Sequence, residues 1–384
     1  MRTRARARGA VPQLNLSIVP RSDTATATAL CAERLSKDSI SQRQAIRLPV
    51  RRHNARWFVS FFGAFMALGF LYGVLACMIW GFVYLVPDLL PGYPPELMAA
   101  GRFVSFGLVA LPLAWMERRE FVHYTFKDWI VVSKLGVIGN IVYYWCLIEA
   151  IQNAGVPVAG MAMSAVPVLV AAVSNIRDKK KGRALAWSRL IPGLVLIVFG
   201  FALASMTEFE MIVKASADGG AKFWYGVAMA VAALLLWTWY PIQNADWLLE
   251  HPERSPRAWS TAQGIATFPF AVVMYLFFWG LEPAGTPLLG ADPVWFVTVM
   301  AVTGIMGSWL GIVFWNAMSQ RLPTALGGQM IVFETIFAVL YAHMLRLSWP
   351  AWNMTAGMVL LLAGVLLSLK VFRSAAGQRQ TQAD

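Results

Sequence analysis

From about residue 65 onward, long apolar runs alternate with short breaks that are polar or rich in proline and glycine. A helix of about 20 apolar residues, rising about 1.5 Å per residue, crosses the roughly 30 Å hydrocarbon core of a bilayer. The pattern therefore predicts an all-α integral membrane protein with ten transmembrane helices. Their predicted ranges are 65–86, 96–116, 129–151, 156–176, 189–206, 223–244, 259–281, 293–317, 323–345 and 350–371.

Two hairpins with the same design stand out in this pattern. In 136–175, two apolar arms are joined by a short polar break, and Pro157 opens the second arm. In 304–344 the same arrangement recurs, with Pro323 in the matching place. The recurrence indicates that the chain consists of two related halves.

An even split of ten helices gives two halves of opposite orientation, because five crossings take the chain to the other side of the membrane. The predicted domains are two inverted five-helix repeats, 65–206 and 223–371, and such repeats place the substrate near the midplane between them. Residues 372–384 form a predicted cytoplasmic tail. Residues 1–64 are predicted to form a basic, disordered leader, for which a transit peptide, a tail held near anionic lipid and a wrongly assigned start all stay open.

Composition supports the membrane class and excludes several others. The chain is 58% hydrophobic and 14% charged, whereas soluble domains carry about 25% charged residues. The net charge of +12 does not indicate nucleic-acid binding, because Lys and Arg concentrate in loops on one side, most strongly in RDKKKGR at 177–183. The predicted outer loops carry only Lys214, Lys222 and Arg346. This bias predicts that both termini are cytoplasmic.

The three cysteines and four histidines lie far apart and show no ligand-like spacing. The sequence therefore predicts neither a disulfide framework nor a metal site, and no cofactor.

Charged residues inside the apolar runs are costly and are candidates for function. Glu334 lies near mid-span and Glu149 lies nearer the outer boundary. Burial favours the neutral form of a carboxylate, as a proton-coupled carrier requires, so both are candidate coupling residues. A structural hydrogen bond stays open as the alternative. For Arg102, the alternatives are a structural role and pairing with a substrate charge.

Polar and aromatic residues within the runs indicate a substrate cavity. Asn140 and Ser308 occupy matching places, each directly after a Gly-x-x-Gly pattern, and Gln329 is a further polar candidate. Packing or lipid contact is the alternative for any single aromatic residue, but as a set they favour a cavity that stacks the substrate. The aromatic candidates are Trp80, Tyr84, Tyr144, Trp237, Tyr240 and Trp309.

The order of these features resembles an EamA-type member of the drug/metabolite transporter superfamily. The residues that carry the resemblance are Trp80-Gly81 in LACMIWGFVYLV, then Arg102, Tyr143, Tyr144, Ala150, Ala159 and Pro167, then Glu334 and the closing segment AWNMTAGMVLLLAGVLL. One departure is Thr335, which replaces the usual proline after the glutamate. The resemblance implies a ten-helix carrier that exports small metabolites such as amino acids.

The predicted function is an inner-membrane secondary transporter that works by alternating access, is coupled to protons and is not an enzyme. Its predicted partners are a small-molecule substrate, the lipid bilayer and protons, while pairing as a homodimer stays open. A nucleotide-sugar or sugar-phosphate carrier of the same superfamily is the nearest alternative. A membrane-embedded enzyme acting on a lipid-linked substrate would need clustered acids near one face, and the inner-loop acids Glu117, Glu120, Asp128 and Asp178 are scattered. A scaffold without transport is a third possibility.

Overall fold

The computed structural model describes residues 51–180, 184–206 and 220–383. The predicted leader up to residue 50, most of the loop between the predicted repeats and residues 181–183 of the basic loop lie outside the described residues. By its internal contacts the chain divides into residues 1–58 and a compact unit from 59 to 384.

The described residues contain ten helices long and apolar enough to cross a membrane, which confirms the predicted fold class. The spans are α1 Ala64–Val83, α2 Pro95–Met116, α3 Phe126–Ala154, α4 Val158–Lys180, α5 Trp187–Ala204, α6 Gly220–Glu250, α7 Pro256–Gly280, α8 Pro293–Ser319, α9 Thr324–Leu345 and α10 Trp352–Ala375. The helix that contains α1 begins at Arg51, inside the predicted leader, and the one that contains α10 continues to Ala383. Two short helices, Val86–Leu89 and Arg118–Phe121, follow α1 and α2.

Four spans are interrupted. In α3 a π-helical segment, Val137–Val142, separates Phe126–Gly136 from Tyr143–Ala154. In α8 a second π-helical segment, Thr303–Leu310, separates Pro293–Val302 from Gly311–Ser319. The fourth span is made of Val156–Ser164 and Val166–Lys180, and the ninth of Thr324–Gln329 and Val332–Leu345. The two π-helical segments occupy the third span of each predicted repeat.

Local sequence explains where several helices begin. Thr125 and Asp128 form a capping box at the start of α3, which satisfies backbone N–H groups that the first turn leaves free. Ser255 and Asp292 cap α7 and α8 by accepting one backbone N–H each, and each is followed by a proline at the first helical position. These two prolines therefore open helices.

The most extensive helix contacts pair α2 with α7, α3 with α6 and α5 with α10, and α4 also packs against α9. Each pair joins a span from 65–206 to one from 223–371. Glycine makes a close approach possible: a Cβ added at Gly364 on α10 would lie 2.7 Å from the backbone oxygen of Gly193 on α5. The interface between the two parts of the chain therefore runs through the whole bundle.

Candidate functional site

The site begins with Arg102, a cation about two turns into α2. Its Nε donates to Ser308 Oγ at 2.9 Å, and its Nη2 donates to the Gly307 carbonyl oxygen at 3.3 Å. Trp80 Nε1 on α1 donates to the same carbonyl oxygen at 2.8 Å. Three spans, α1, α2 and α8, are thereby joined at one backbone group.

The acceptor lies in the π-helical segment of α8, where backbone groups take non-α positions. Such segments are rare and are frequent at functional sites. The Gly311 N–H bonds to the Met306 carbonyl five residues earlier. A Cβ added at Gly307 would lie 2.7 Å from Val83 Cγ2, so glycine allows α1 to approach this segment. The segment thus presents the Gly307 carbonyl to donors on α1 and α2.

Glu334 supplies the negative charge of the site. The hydroxyl of Tyr84, which follows α1, donates to Glu334 Oε1 at 3.0 Å. Glu334 Oε2 is buried and has no hydrogen-bond partner. A buried acceptor without a partner costs about 1–3 kcal/mol, more when charged, so this oxygen is set to accept a proton or a donor from a ligand. Tyr84 itself is 60% exposed, so the site reaches the accessible surface.

The two charges interact electrostatically, yet none of the ion pairs found among the described side chains joins them. Arg102 is held by neutral acceptors and lies over the Phe103 ring at 5.4 Å from its centroid. We call the group formed by Tyr84, Arg102, Gly307, Ser308 and Glu334 the charged site. It combines a cation that lacks a close counter-ion with a carboxylate that has one open oxygen.

An aromatic wall continues from the charged site through Trp80. Trp80 contacts Trp315 and Trp237, with ring centroids 5.2 and 6.5 Å apart. Trp237 stacks between Tyr143 at 4.5 Å and Tyr240 at 5.2 Å. These rings pack on one another and form an apolar surface beside the charged site.

A separate network of fully buried amides joins α6, α7 and α8. Asn244 Oδ1 accepts from Trp259 Nε1 at 2.9 Å and from Gln263 Nε2 at 3.1 Å, and Asn244 Nδ2 donates to Asn316 Oδ1 at 2.9 Å. Tyr240 OH donates to Gln263 Oε1 at 2.7 Å. Because these polar atoms satisfy one another, the network stabilises the contacts among the three helices.

Ion pairs join the two parts of the chain where α2 and α4 end. Arg257 at the start of α7 pairs with Glu117, which is almost fully buried just after α2. Arg177 on α4 pairs with Asp246 on α6 at 2.5 Å. We call the region that contains these two pairs the ion-pair end.

Aromatic packing completes the ion-pair end. Trp247 on α6 stacks on Trp259 on α7 with ring centroids 3.5 Å apart, and its Nε1 donates to Asp128 Oδ1 on α3 at 3.0 Å. Arg254 lies over the Tyr124 ring at 5.4 Å and donates to the His123 carbonyl. Burial raises the pKa of Tyr124, so that phenol stays neutral.

Several of the predicted site residues lie close together in the structure. Arg102, Ser308, Tyr84 and Glu334 form the charged site, and Trp80 links it to Trp237. Tyr144 lies beside it, with its ring 6.2 Å from that of Phe103 and 6.4 Å from that of Tyr143.

The other predicted residues have partners elsewhere. Asn140 and Trp309 donate to Thr267 and Thr261 on α7, each at 3.1 Å, and Tyr240 is held by the amide network. Gln329 Nε2 donates to the Ala325 carbonyl within α9, and Gln329 Oε1 has no partner. Glu149 Oε2 accepts from Asn153 Nδ2 at 3.1 Å near the far end of α3. Asn140 and Ser308 thus both lie in π-helical segments but have different partners.

Sequence reasoning missed Tyr143, Trp315 and Asn316 as candidates. Trp315 lies seven residues after Ser308, a spacing of about two turns that keeps both near one helix face. Asn316 follows directly, and Tyr143 precedes the chosen Tyr144. The seven-residue spacing from Ser308 could therefore have identified Trp315 as a candidate from the sequence. Among the described residues no group of three or more His, Cys, Asp or Glu side chains is placed to hold a metal ion.

Comparisons with known proteins concern the family and the fold of this chain. The sequence model of the EamA-like transporter family matches residues 67–206. Inner membrane protein YtfF of Escherichia coli strain K12 is 34% identical over 309 residues, which are 79% of this chain and 96% of that relative. A solved crystal structure aligns with a TM-score of 0.61 and 17% sequence identity, and it covers 80% of this chain and 98% of its own.

Proposed function

Since this chain belongs to the EamA-like transporter family and is a multi-pass inner-membrane protein, we propose that it exports small metabolites, amino acids foremost, by alternating access. The observation that carries this proposal is the charged site. It places an arginine, a carboxylate with an open oxygen and an aromatic wall at the meeting of α1, α2, α8 and α9. Intramembrane charges of this kind mark substrate and ion pathways.

The proposed orientation follows from the distribution of Lys and Arg, which favours cytoplasmic termini. The ion-pair end is then the cytoplasmic end, and exposed Tyr84 lies toward the outside. The pairing of α2 with α7 and of α5 with α10, and the π-helical segments in α3 and α8, support two inverted repeats at 65–206 and 223–371.

Glu334 is the proposed coupling residue, because its Oε2 is buried without a partner. Glu149 is the second candidate, and its carboxylate already accepts from Asn153. A carrier that exchanges protons for substrate needs a carboxylate that both can bind. Glu334 has an oxygen without a partner, whereas the Glu149 carboxylate already accepts from Asn153.

The test is uptake of labelled amino acids into proteoliposomes, with and without an imposed pH gradient and with the membrane potential clamped. We expect saturable uptake that the gradient accelerates in the wild type. Glu334→Gln should lose the acceleration and Glu149→Gln, the matched control, should keep it. Wild-type uptake that is unchanged when the proton gradient is collapsed would contradict proton coupling. Loss of coupling in Glu149→Gln alone would move the role to that residue.

A sugar-phosphate or nucleotide-sugar substrate is the second candidate, and Arg102 favours it, because a guanidinium binds phosphate well. Labelled sugar phosphates in the same assay decide between the two classes.

The enzyme alternative receives no support from the inner-loop acids. Glu117 is paired with Arg257, and Asp128 accepts from Trp247 and Thr125. Both carboxylates therefore hold helices together.

A further inference from the structure

We propose that the charged site binds the two charges of a zwitterionic substrate with two different residues. Arg102 binds the carboxylate, and Glu334 binds the ammonium group, so that ammonium and proton compete for one carboxylate. This inference rests on the proposed function and names the residues that carry out recognition and exchange.

Arg102 has the capacity to bind a carboxylate. A guanidinium offers five N–H donors in a planar fork, and two of its nitrogens bond to Ser308 and Gly307. Both acceptors are neutral, so the charge of Arg102 lacks a directly bonded counter-ion. A carboxylate supplies that charge, and charge-assisted bonds to arginine are stronger than bonds to neutral acceptors.

Glu334 has the matching capacity for an ammonium group. Tyr84 occupies Oε1, and Oε2 is buried without a partner. An ammonium group has three donors and no acceptor, so it binds Oε2 most strongly while the carboxylate is ionised. A proton on Glu334 removes that charge and weakens the bond. The two cations therefore compete for Glu334.

Few other titratable groups lie around Glu334 that could make substrate binding depend on pH. Those that face it are Cys77 and Tyr84 from the first helix and the turn after it, Arg102 from α2 and Tyr143 from α3. Phenols and thiols are neutral near pH 7, and arginine stays charged. Glu334 is therefore the group whose charge changes.

The sign of the pH dependence follows. When the pH falls and Glu334 takes a proton, the ammonium group loses its partner, and binding of a zwitterion weakens. For a purely anionic substrate the sign is reversed, because protonation of Glu334 removes a negative charge near the anion bound to Arg102. The direction of the pH effect therefore separates a zwitterion from a sugar phosphate.

The experiment uses full-length protein in proteoliposomes and labelled phenylalanine, chosen because the aromatic wall suits its ring. Phenethylamine, which lacks the carboxylate, and N-acetylphenylalanine, which lacks the ammonium group, serve as competitors. In the wild type we expect both to inhibit at least about tenfold more weakly than unlabelled phenylalanine, a factor worth about 1.4 kcal/mol.

The variants should show which residue is responsible for each part of this preference. In Arg102→Gln the preference for phenylalanine over phenethylamine should vanish, and Arg102→Lys should restore part of it. In Glu334→Gln the preference over N-acetylphenylalanine should vanish together with the pH dependence of binding. Arg346→Gln, which removes an exposed arginine paired with Asp88, should change neither preference.

Two failures can be told apart. If the wild type takes up amino acids but Arg102→Gln and Arg102→Lys keep the full preference over phenethylamine, the inference is wrong and the proposed function stands. If binding strengthens as the pH falls, the substrate is an anion and the inference is wrong. If no amino acid is taken up, amino-acid export itself is wrong, and the inference fails with it. Elution profile and melting temperature show whether each variant is folded.

Discussion

At the scale of single residues, Gly307 is notable because its carbonyl accepts from two side chains of distant helices. Trp80→Phe removes one donor and keeps most of the ring. A typical net hydrogen bond contributes about 1 kcal/mol, so the thermal midpoint of the purified protein should fall by a few degrees. Trp352→Phe, at a 74% exposed tryptophan, is the control. Equal midpoints for the two variants would show that the bond to Gly307 contributes nothing.

Substitution of Asn244 should cost more stability than substitution of Trp80, because Asn244 satisfies several buried groups at once. Asn244→Ala leaves Trp259 Nε1 and Gln263 Nε2 without their acceptor, at a cost of about 1–3 kcal/mol for each unsatisfied group. We expect the largest loss of melting temperature among single substitutions in α6. Thr298→Ala, which removes only a bond to the Val294 carbonyl within α8, should have little effect. A similar loss in both variants would contradict this assignment.

The sequence showed which residues carry charge but not which residues they meet. Glu334 and Arg102 stand out as charges in apolar runs. The contact of Tyr84 with Glu334 spans 250 positions, and that of Arg102 with Ser308 spans 206. No local pattern encodes such distances. Tyr240 and Trp309 show the same limit, because their polar atoms face α7 rather than a cavity.

At the scale of helices, glycine decides which spans can touch. Gly364→Ala places a Cβ 2.7 Å from the Gly193 carbonyl oxygen, so α5 and α10 must separate. Gly160→Ala meets nothing within 4 Å and improves helix propensity by up to about 1 kcal/mol. We expect a lower melting temperature in the first variant and an unchanged or higher one in the second. A Gly364→Ala protein as stable as the wild type would show that this crossing tolerates separation.

The number of spans was predictable because length and hydropathy fix it, whereas their ends and irregularities were not. The sixth span was predicted at 223–244 and extends to Glu250, because Asp246 is paired with Arg177 and Trp247 is buried. Polar residues that the sequence assigned to a loop thus lie in the helix, because partners on other helices stabilise them there. The π-helical segments in α3 and α8 depend on the same tertiary contacts, and apolar periodicity does not reveal them.

At the scale of the whole molecule, the ion-pair end ties the two parts of the chain together. Alternating access requires this end to open, so linking it should stop transport. A short thiol crosslinker applied to the double variant Arg177→Cys/Asp246→Cys, with the native cysteines replaced, should abolish uptake. Reductive cleavage of the linker should restore it, and each single-cysteine variant should be insensitive. Full uptake in the crosslinked protein would show that the end need not open.

The pairing of helices across the chain also bears on how the protein is made. The glycine face of α5 finds its partners, Gly357 and Gly364, on α10, five spans later in the chain. During translation α5 therefore enters the bilayer before its close-packing partner has been synthesised. Insertion of α10, rather than of the first five spans, is then the event that completes this packing.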